Sequence, residues 1–170
     1  MGDEGLLELL GRAQARTRNY ADYWEWEIDR KRAERGVAET LIEFLGVEGH
    51  FDTSERETPD LAFVTRDGRK IGIEVTEVVD EHASAHNRSA ERKHKSWVWA
   101  VWKEEKLVEV VRQRVASKDA KLAPNANEFD EVWLALATDE PTIDMAMAER
   151  ACATCGASAQ HLRRAFMLLG

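Results

Sequence analysis

The chain of 170 residues carries 32 Asp and Glu against 24 Lys and Arg, for a net charge of −8, and 44% of its residues are hydrophobic. This length suits one domain with a substantial core, and the acidic balance argues against a protein that coats nucleic acid without selectivity. No stretch is apolar enough over the length needed to cross a membrane, and the first residues lack the pattern of a signal peptide. We therefore expect a cytoplasmic protein without membrane contact.

The N-terminal part of the chain is predicted to be helical. Apolar side chains recur at three- and four-residue spacing in residues 1–30, which indicates an N-terminal helical extension ahead of a domain at residues 31–170. This extension offers a contact for a second copy of the chain or for a partner protein. Residues 37–45 form a further predicted helix that ends at Gly46, with Gly36 weakening it or separating it from the extension.

Two short strands joined by a tight turn are predicted after a polar loop at residues 48–58. Apolar residues alternate in both strands, and pairing the apolar faces matches odd positions with odd positions. This register needs a three-residue loop, Arg66 to Gly68, with Gly68 at positive φ. It places Asp60 beside Glu74, and two such carboxylates either hold a divalent cation or are solvated acids of an ordinary hairpin.

The remaining elements give the fold class. They are a polar loop, a long helix, a buried strand, a helix and a last strand, at residues 80–87, 89–122, 131–137, 144–153 and 164–169. The order of helices and strands predicts an α/β fold with a mixed sheet of about four strands flanked by helices.

Charge is unevenly distributed along the chain. Residues 88–121 contain ten Lys and Arg against five Asp and Glu, whereas residues 122–149 contain seven acids and no Lys or Arg. A basic helix on an acidic protein suits selective contact with phosphates, and it equally suits a solvated helix face. The tryptophans of this helix indicate core packing more than stacking on bases.

Several of these residues, in this order, resemble the PD-(D/E)xK superfamily of restriction-endonuclease-like nucleases. The matching residues are Pro59-Asp60 and Ile73-Glu74-Val75-Thr76, after a helix that bears Glu39. Downstream, residues 115–121 and 129–134 are similar to a divergent bacterial and phage branch, in which a helix with paired lysines precedes a strand. The resemblance implies a restriction-endonuclease-like core that hydrolyses phosphodiester bonds, with DNA as the expected nucleic acid and Mg²⁺ or Mn²⁺ as the cofactor.

The resemblance also implies a set of metal ligands. Asp60 and Glu74 are expected to bind the metal through their carboxylates, and Val75 through its backbone carbonyl. Glu39 is expected to hold a metal or to align a water molecule. A bound divalent cation would activate water and stabilise the pentacoordinate phosphate.

Thr76 departs from the family pattern, because it occupies the position in which the family keeps a lysine. A threonine hydroxyl can bond a water molecule, but it carries no charge to balance the developing negative charge. Lys118 and Lys121 are the candidates to replace that lysine, unless they are only solvated at the negative end of their helix. Two functions stay open: an active nuclease, or a catalytically impaired nuclease fold that serves as a protein-binding or accessory module in phage or bacterial defence.

Overall fold

The computed structural model describes residues 30–54, 57–92, 98, 100–155 and 159–170, with only the backbone described at residues 87–92 and 155. The predicted N-terminal helical extension, and with it the contact for a second copy or a partner, lies outside the described residues. No helix in the described part of the chain is both long enough and apolar enough to traverse a membrane.

Within these residues the chain forms helices α1 to α4 and strands β1 to β5. In chain order they are α1 (Arg30–Leu45), β1 (Gly49–Phe51), β2 (Leu61–Thr65), β3 (Lys70–Glu77), α2 (Glu81–Arg92), α3 (Glu104–Leu122), β4 (Glu131–Thr138), α4 (Met145–Cys155) and β5 (Leu162–Leu169).

The five strands form one mixed sheet in the order β1-β2-β3-β4-β5. The β1–β2 and β2–β3 pairs are antiparallel, and the β3–β4 and β4–β5 pairs are parallel. This confirms the predicted α/β class with a mixed sheet. The predicted strand number was too low because β1 lies in the segment assigned to a polar loop, and three residues are too few to show an alternating pattern.

Helices cover both faces of the sheet. On one face, α1 packs on alternate residues of β3 and β4, in a core formed by Val37, Ala38, Leu41, Ile42, Ile71, Ile73, Val75, Trp133, Ala135 and Ala137. On the other face, α3 and α4 pack on the intervening residues of β4, in a core that includes Leu107, Val111, Val115, Val132, Leu134, Leu136, Ala148 and Ala151. Strand β4 is therefore buried on both faces, as its near-continuous apolar run predicts.

The β2–β3 hairpin has the register that the apolar alternation predicts. Leu61 pairs with Ile73, and Phe63 pairs with Ile71. Continuing this register beyond the first residue of β2 places Asp60 opposite Glu74. The loop is the expected three-residue connection, and Gly68 has a φ of 87°, a left-handed conformation that glycine adopts without strain.

Helix α1 is longer than predicted. It begins at Arg30, continues through Gly36 and ends before Gly46, so Gly36 does not interrupt it. Packing of its apolar stripe on the sheet outweighs the low helix propensity of one glycine, which amounts to about 1 kcal/mol.

The described part of the segment between β3 and β4 contains two α-helices, so the loop predicted there is wrong and the long helix is confirmed only in part. The predicted loop at residues 80–87 is mostly helix α2, whose first turn Asp80 caps by accepting a 2.6 Å hydrogen bond from Ala83 N. The helix predicted at residues 89–122 is confirmed from Glu104 to Leu122, whereas residues 89–92 belong to α2 and residues 100–103 are not helical. Trp102 lies in that non-helical segment, where its backbone N–H donates to Thr142 Oγ1 at 3.0 Å.

Candidate active site

The antiparallel ladder between β2 and β3 stops at the Leu61–Ile73 pair, two residues after Pro59. Thr65 N donates to Arg69 O at 2.9 Å, and the alternation of an antiparallel ladder makes Pro59 and Val75 the next pair beyond β2 that would exchange hydrogen bonds. Proline has no N–H, so it cannot donate to Val75 O. Val75 N donates instead to Asp60 Oδ2 at 2.8 Å. The Pro-Asp pair therefore leaves the Val75 carbonyl without its strand partner and fixes the Asp60 carboxylate beside it.

Glu74 is a buried acid with both carboxylate oxygens engaged. Only 3% of the residue is exposed. Its Oε2 accepts a 3.2 Å hydrogen bond from Asp60 N, and its Oε1 accepts one from the Lys118 ammonium. Asp60 and Glu74 therefore each bond the backbone of the other's strand, as the predicted register requires.

Lys118 reaches the sheet from α3. Its side chain is 13% exposed, and its ammonium forms an ion pair with Glu74. The same ammonium donates to Val75 O at 3.3 Å, the carbonyl that Pro59 leaves free. A lysine therefore stands at this site although Thr76 occupies the usual lysine position.

Lys121 and Thr76, two further residues of the predicted site, make no hydrogen bond or ion pair with Glu74. Lys121 is exposed at the end of α3. Thr76 is half-buried in β3 and pairs with Leu136 of β4. Of the two lysines, the structure therefore brings Lys118 into the cluster and leaves Lys121 at the surface.

Helix α1 contributes an acid that the sequence analysis missed. Glu34 is 6% exposed, and its carboxylate accepts a 2.8 Å hydrogen bond from Arg30 Nε. Burial raises the pKa of Glu34 above its ordinary value; Arg30 opposes this effect, and the negative charge of Asp60 adds to it. Glu34 therefore lies within electrostatic range of Asp60 and belongs to the same group of coupled charges.

Glu39, the acid assigned to this role from the sequence, is not brought into the cluster. It is exposed and pairs with Arg35 at 2.7 Å. Glu34 and Glu39 are five residues apart, so they point about 140° apart around the helix axis. The buried stripe contains Val37 and Leu41, three and seven residues after Glu34, and this spacing was the signal that could have identified Glu34.

The cluster of Glu34, Asp60, Glu74 and Lys118, which we call the acidic cluster, has an excess of negative charge. Burial raises the pKa of Glu74 above its ordinary value, and the Asp60 charge raises it further, while Lys118 acts in the opposite direction. Three carboxylates are balanced by Lys118 and by Arg30, whose side chain is 71% exposed. The site is thus able to accept additional positive charge.

Gly72 leaves room for the ring of Pro59, the residue before Asp60. Gly72 of β3 lies against the Pro59 ring, and a Cβ at this position would come within 2.7 Å of Pro59 Cγ and 3.2 Å of Phe129 Cγ. Only glycine therefore permits this close approach. The position of Asp60 thus depends on a contact two residues before Glu74 in the same strand.

Asp119 anchors the helix that carries Lys118. Its carboxylate accepts backbone hydrogen bonds from Gln160 at 3.0 Å, and from His161 and Leu162 at 2.8 Å each. Burial acts to raise the pKa of Asp119, but these three N–H donors lower it below its ordinary value. Asp119 therefore ties α3 to the start of β5, a structural task that the paired-lysine pattern did not reveal.

Most of the described Lys and Arg side chains in the basic segment expected to contact phosphates are ion-paired. Lys106, Arg112 and Arg114 pair with Asp80, Glu109 and Glu81, respectively. Trp102, with 3% of its surface exposed, packs in the core, as predicted, and is not placed to stack on a base. These contacts fit a solvated, salt-bridged helix face better than an open phosphate-binding face.

The donor atoms of the acidic cluster can be compared with those that Mg²⁺ prefers. Among the described residues, no three His, Cys, Asp or Glu side chains are grouped so as to hold a metal ion. Mg²⁺ is commonly bound through one or two carboxylates, with water and substrate oxygens completing its shell. Asp60, Glu74 and Val75 O supply hard oxygen donors of this kind, so the chemistry of the donor set fits, although Lys118 now occupies two of these oxygens.

None of the protein-family models, curated proteins or solved structures compared with this chain matches it significantly. Support for the resemblance to PD-(D/E)xK nucleases is therefore confined to the residues of this chain and to their arrangement. Hydrogen bonds join Asp60, Glu74, Val75 and Lys118, whereas Glu39 is exposed and pairs with Arg35, and Glu34 is coupled to Asp60 electrostatically.

Proposed function

We propose that this protein is a metal-dependent nuclease that hydrolyses phosphodiester bonds, with DNA as its substrate and Mg²⁺ or Mn²⁺ as its cofactor. The observation that carries the proposal is the meeting of Asp60, Glu74, the Val75 carbonyl and the Lys118 ammonium at one point of the sheet. The element order, with α1 before an antiparallel hairpin and α3 crossing to the parallel strand β4, supports a restriction-endonuclease-like core.

Each residue of the site has a distinct role in this proposal. Asp60, Glu74 and Val75 O would hold the metal ion, and Glu34 would hold a metal-bound water or a second cation from the α1 side. A divalent cation bound there would supply Lewis-acid activation of water and charge stabilisation at the phosphate. Lys118 would supply the positive charge that Thr76 lacks, since an ammonium near a developing phosphorane oxyanion stabilises the transition state.

Burial of the cluster strengthens these electrostatic effects. Glu74 and Lys118 are both largely removed from solvent, and a unit charge acts more strongly at low effective dielectric than in water. The raised pKa of Glu74, caused first by burial and then by Asp60, also lets this carboxyl accept a proton more readily than an exposed glutamate. In this proposal the bound cation and Lys118 supply the positive charge that contacts the phosphate, although the protein as a whole is acidic.

Cleavage assays test the proposal directly. Metal-free full-length protein is incubated with linear, supercoiled and single-stranded DNA and with RNA, in the presence of Mg²⁺, Mn²⁺ or excess EDTA. We expect cleavage with metal and none in EDTA, abolished by Asp60→Ala and retained by Glu43→Ala, which removes an exposed acid of α1. Equal cleavage in EDTA would contradict the metal-dependent mechanism.

One observation favours a second candidate function. The Lys118 ammonium already pairs with Glu74 and bonds Val75 O, so these two oxygens have a partner without a metal ion. A nuclease fold in this state could serve as a catalytically impaired accessory module in phage or bacterial defence. Absence of cleavage on all four substrates with both metals would support that function over the nuclease.

A further inference from the structure

The Lys118 ammonium lies between two oxygen atoms suited to a divalent cation. It bonds Glu74 Oε1, a carboxylate oxygen, and Val75 O, a carbonyl oxygen to which Pro59 cannot donate, and both are hard donors. Glu74 depends on Lys118 for charge balance, because its carboxylate is buried. Val75 O depends on Lys118 for a hydrogen bond, because Pro59 has no N–H to donate.

We propose that Lys118 is a built-in cation that competes with the divalent metal ion for Glu74 and Val75 O, so that the metal binds only when the ammonium leaves. This inference rests on the proposed function and adds a means of regulating its site. Two cations cannot share these oxygens at close range, because an ammonium and a divalent ion repel each other strongly in a buried site.

The charge of the cluster explains why the exchange can occur. With Lys118 in place, the three carboxylates of the cluster are opposed by the Lys118 ammonium and by the largely exposed Arg30, which leaves an excess of negative charge among these described groups. A divalent ion at the same oxygens brings one more unit of positive charge than the ammonium. The negative charge of the cluster therefore favours the divalent ion over the ammonium. Without metal, the Lys118 ammonium offsets part of the same negative charge.

The displaced ammonium would remain next to the site. Lys118 is attached to α3, which Asp119 ties to the start of β5, so the helix holds its position while the four-carbon side chain turns. Displacement thus releases a positive charge toward the solvent side of the cluster, where the phosphate of a substrate would approach. Lys118 thus blocks the metal-binding oxygens before the metal binds. After the metal binds, its ammonium provides positive charge for the phosphate of the substrate.

Metal affinity gives the first test, in the absence of nucleic acid. Mg²⁺ and Mn²⁺ are titrated by calorimetry into the metal-free full-length wild type, Lys118→Met and, as a control with the same loss of charge, Lys103→Met at an exposed lysine preceding α3. We expect Lys118→Met to bind at least tenfold more tightly than wild type, and Lys103→Met to differ by less than twofold. Equal or weaker binding by folded Lys118→Met, or no metal binding by either protein, would overturn the proposal.

Lysine labelling of the wild-type protein gives a second test that requires no variant to fold. An amine-reactive reagent is applied with and without Mg²⁺, and modification of each lysine is measured by mass spectrometry. We expect Lys118 to be protected without metal and labelled several-fold faster with it, while exposed Lys103 stays constant. Unchanged or slower labelling of Lys118 at a metal concentration that saturates the site would refute the exchange.

The two proposals fail separately. Tighter metal binding by Lys118→Met without any cleavage by wild type would leave the exchange standing and would contradict the nuclease. Metal-dependent cleavage by wild type would support the nuclease. If Lys118 labelling and the metal affinity of Lys118→Met were both unchanged in the same experiments, the exchange would be contradicted.

Discussion

Asp60 Oδ2 accepts a 2.8 Å hydrogen bond from Val75 N, in the place where the antiparallel ladder would have used the carbonyl of Pro59. A single dipeptide at the start of β2 thus has two effects on β3. The proline withholds a donor from Val75 O, and the aspartate takes the N–H of the same residue. The result is a carboxylate and a free carbonyl held side by side by the strand backbone, and this rigid arrangement makes the site suitable for a cation.

The two lysines of α3 should differ in their effect on cleavage. Lys118→Met removes the ammonium from the acidic cluster, so we expect cleavage to fall about a hundredfold or more even if metal binding is tighter. Lys121→Met changes an exposed side chain and should retain near wild-type rates. Single-turnover rates at saturating metal separate the loss of charge from any change in metal affinity. A slow Lys121→Met with an unaffected Lys118→Met would reverse the assignment.

The Lys118–Glu74 pair should also control the stability of the metal-free protein. Lys118→Met leaves the Glu74 carboxylate buried without its partner, which costs about 3 kcal/mol of unfolding free energy. Adding Glu74→Gln removes the uncompensated charge, so the double variant should be more stable than Lys118→Met alone. Urea unfolding of the four proteins in the cycle gives the coupling energy. Strictly additive effects of the two substitutions would show that the pair is not coupled.

The hairpin could be predicted from sequence, and the rest of the site could be predicted only in part. Alternation of apolar residues and the position of Gly68 determine the β2–β3 register, because a slip of one residue would turn every apolar side chain outward. Nothing in this local pattern shows that α3 crosses the sheet so that Lys118 reaches Glu74. That contact joins two residues that are 44 positions apart in the sequence, and it depends on how α3 packs on the sheet.

The errors have identifiable physical causes. The choice of Glu39 over Glu34 followed from beginning the helix after Gly36, and burial of the α1 stripe against the sheet outweighs that glycine. Helix α2 was missed because its residues are polar, although Asp80 in front of it is a helix-capping signal. Local propensity is weak evidence wherever tertiary packing decides the outcome.

Glu34 should make the stability of the protein depend on pH. Its pKa is raised in the folded protein, chiefly by burial, from an ordinary value of 4.5. Above pH 4.5 and up to that raised value, the folded state binds more protons than the unfolded state, so the free energy of unfolding falls as pH rises through this window. Glu34→Gln should therefore be more stable than wild type at pH 7 and should show a smaller decrease between pH 4.5 and 7.

Two comparisons isolate this effect of Glu34. Glu43→Gln removes an exposed acid from the same helix and should leave the pH dependence of unfolding unchanged. The pKa values of Asp80 and Asp119 are lowered below 3.8, so the stability that they contribute is lost only at more acidic pH, outside this window. A Glu34→Gln variant with the same pH dependence as wild type would show that Glu34 ionises as an ordinary exposed acid.

Gly72 should be the glycine at which a single methyl group disturbs the site most. In Gly72→Ala the new Cβ would come within 2.7 Å of Pro59 Cγ, so Pro59 and the adjoining Asp60 must shift. We expect a loss of about 1–3 kcal/mol in unfolding free energy from overpacking, together with weaker metal binding. Gly36→Ala is the matched control, since no atom lies within 4 Å of a Cβ there and alanine favours the helix by about 1 kcal/mol. Urea unfolding and calorimetric metal titration of both variants test the prediction, and a Gly72→Ala protein that binds metal as wild type does would show that the Pro59–Gly72 contact does not position Asp60.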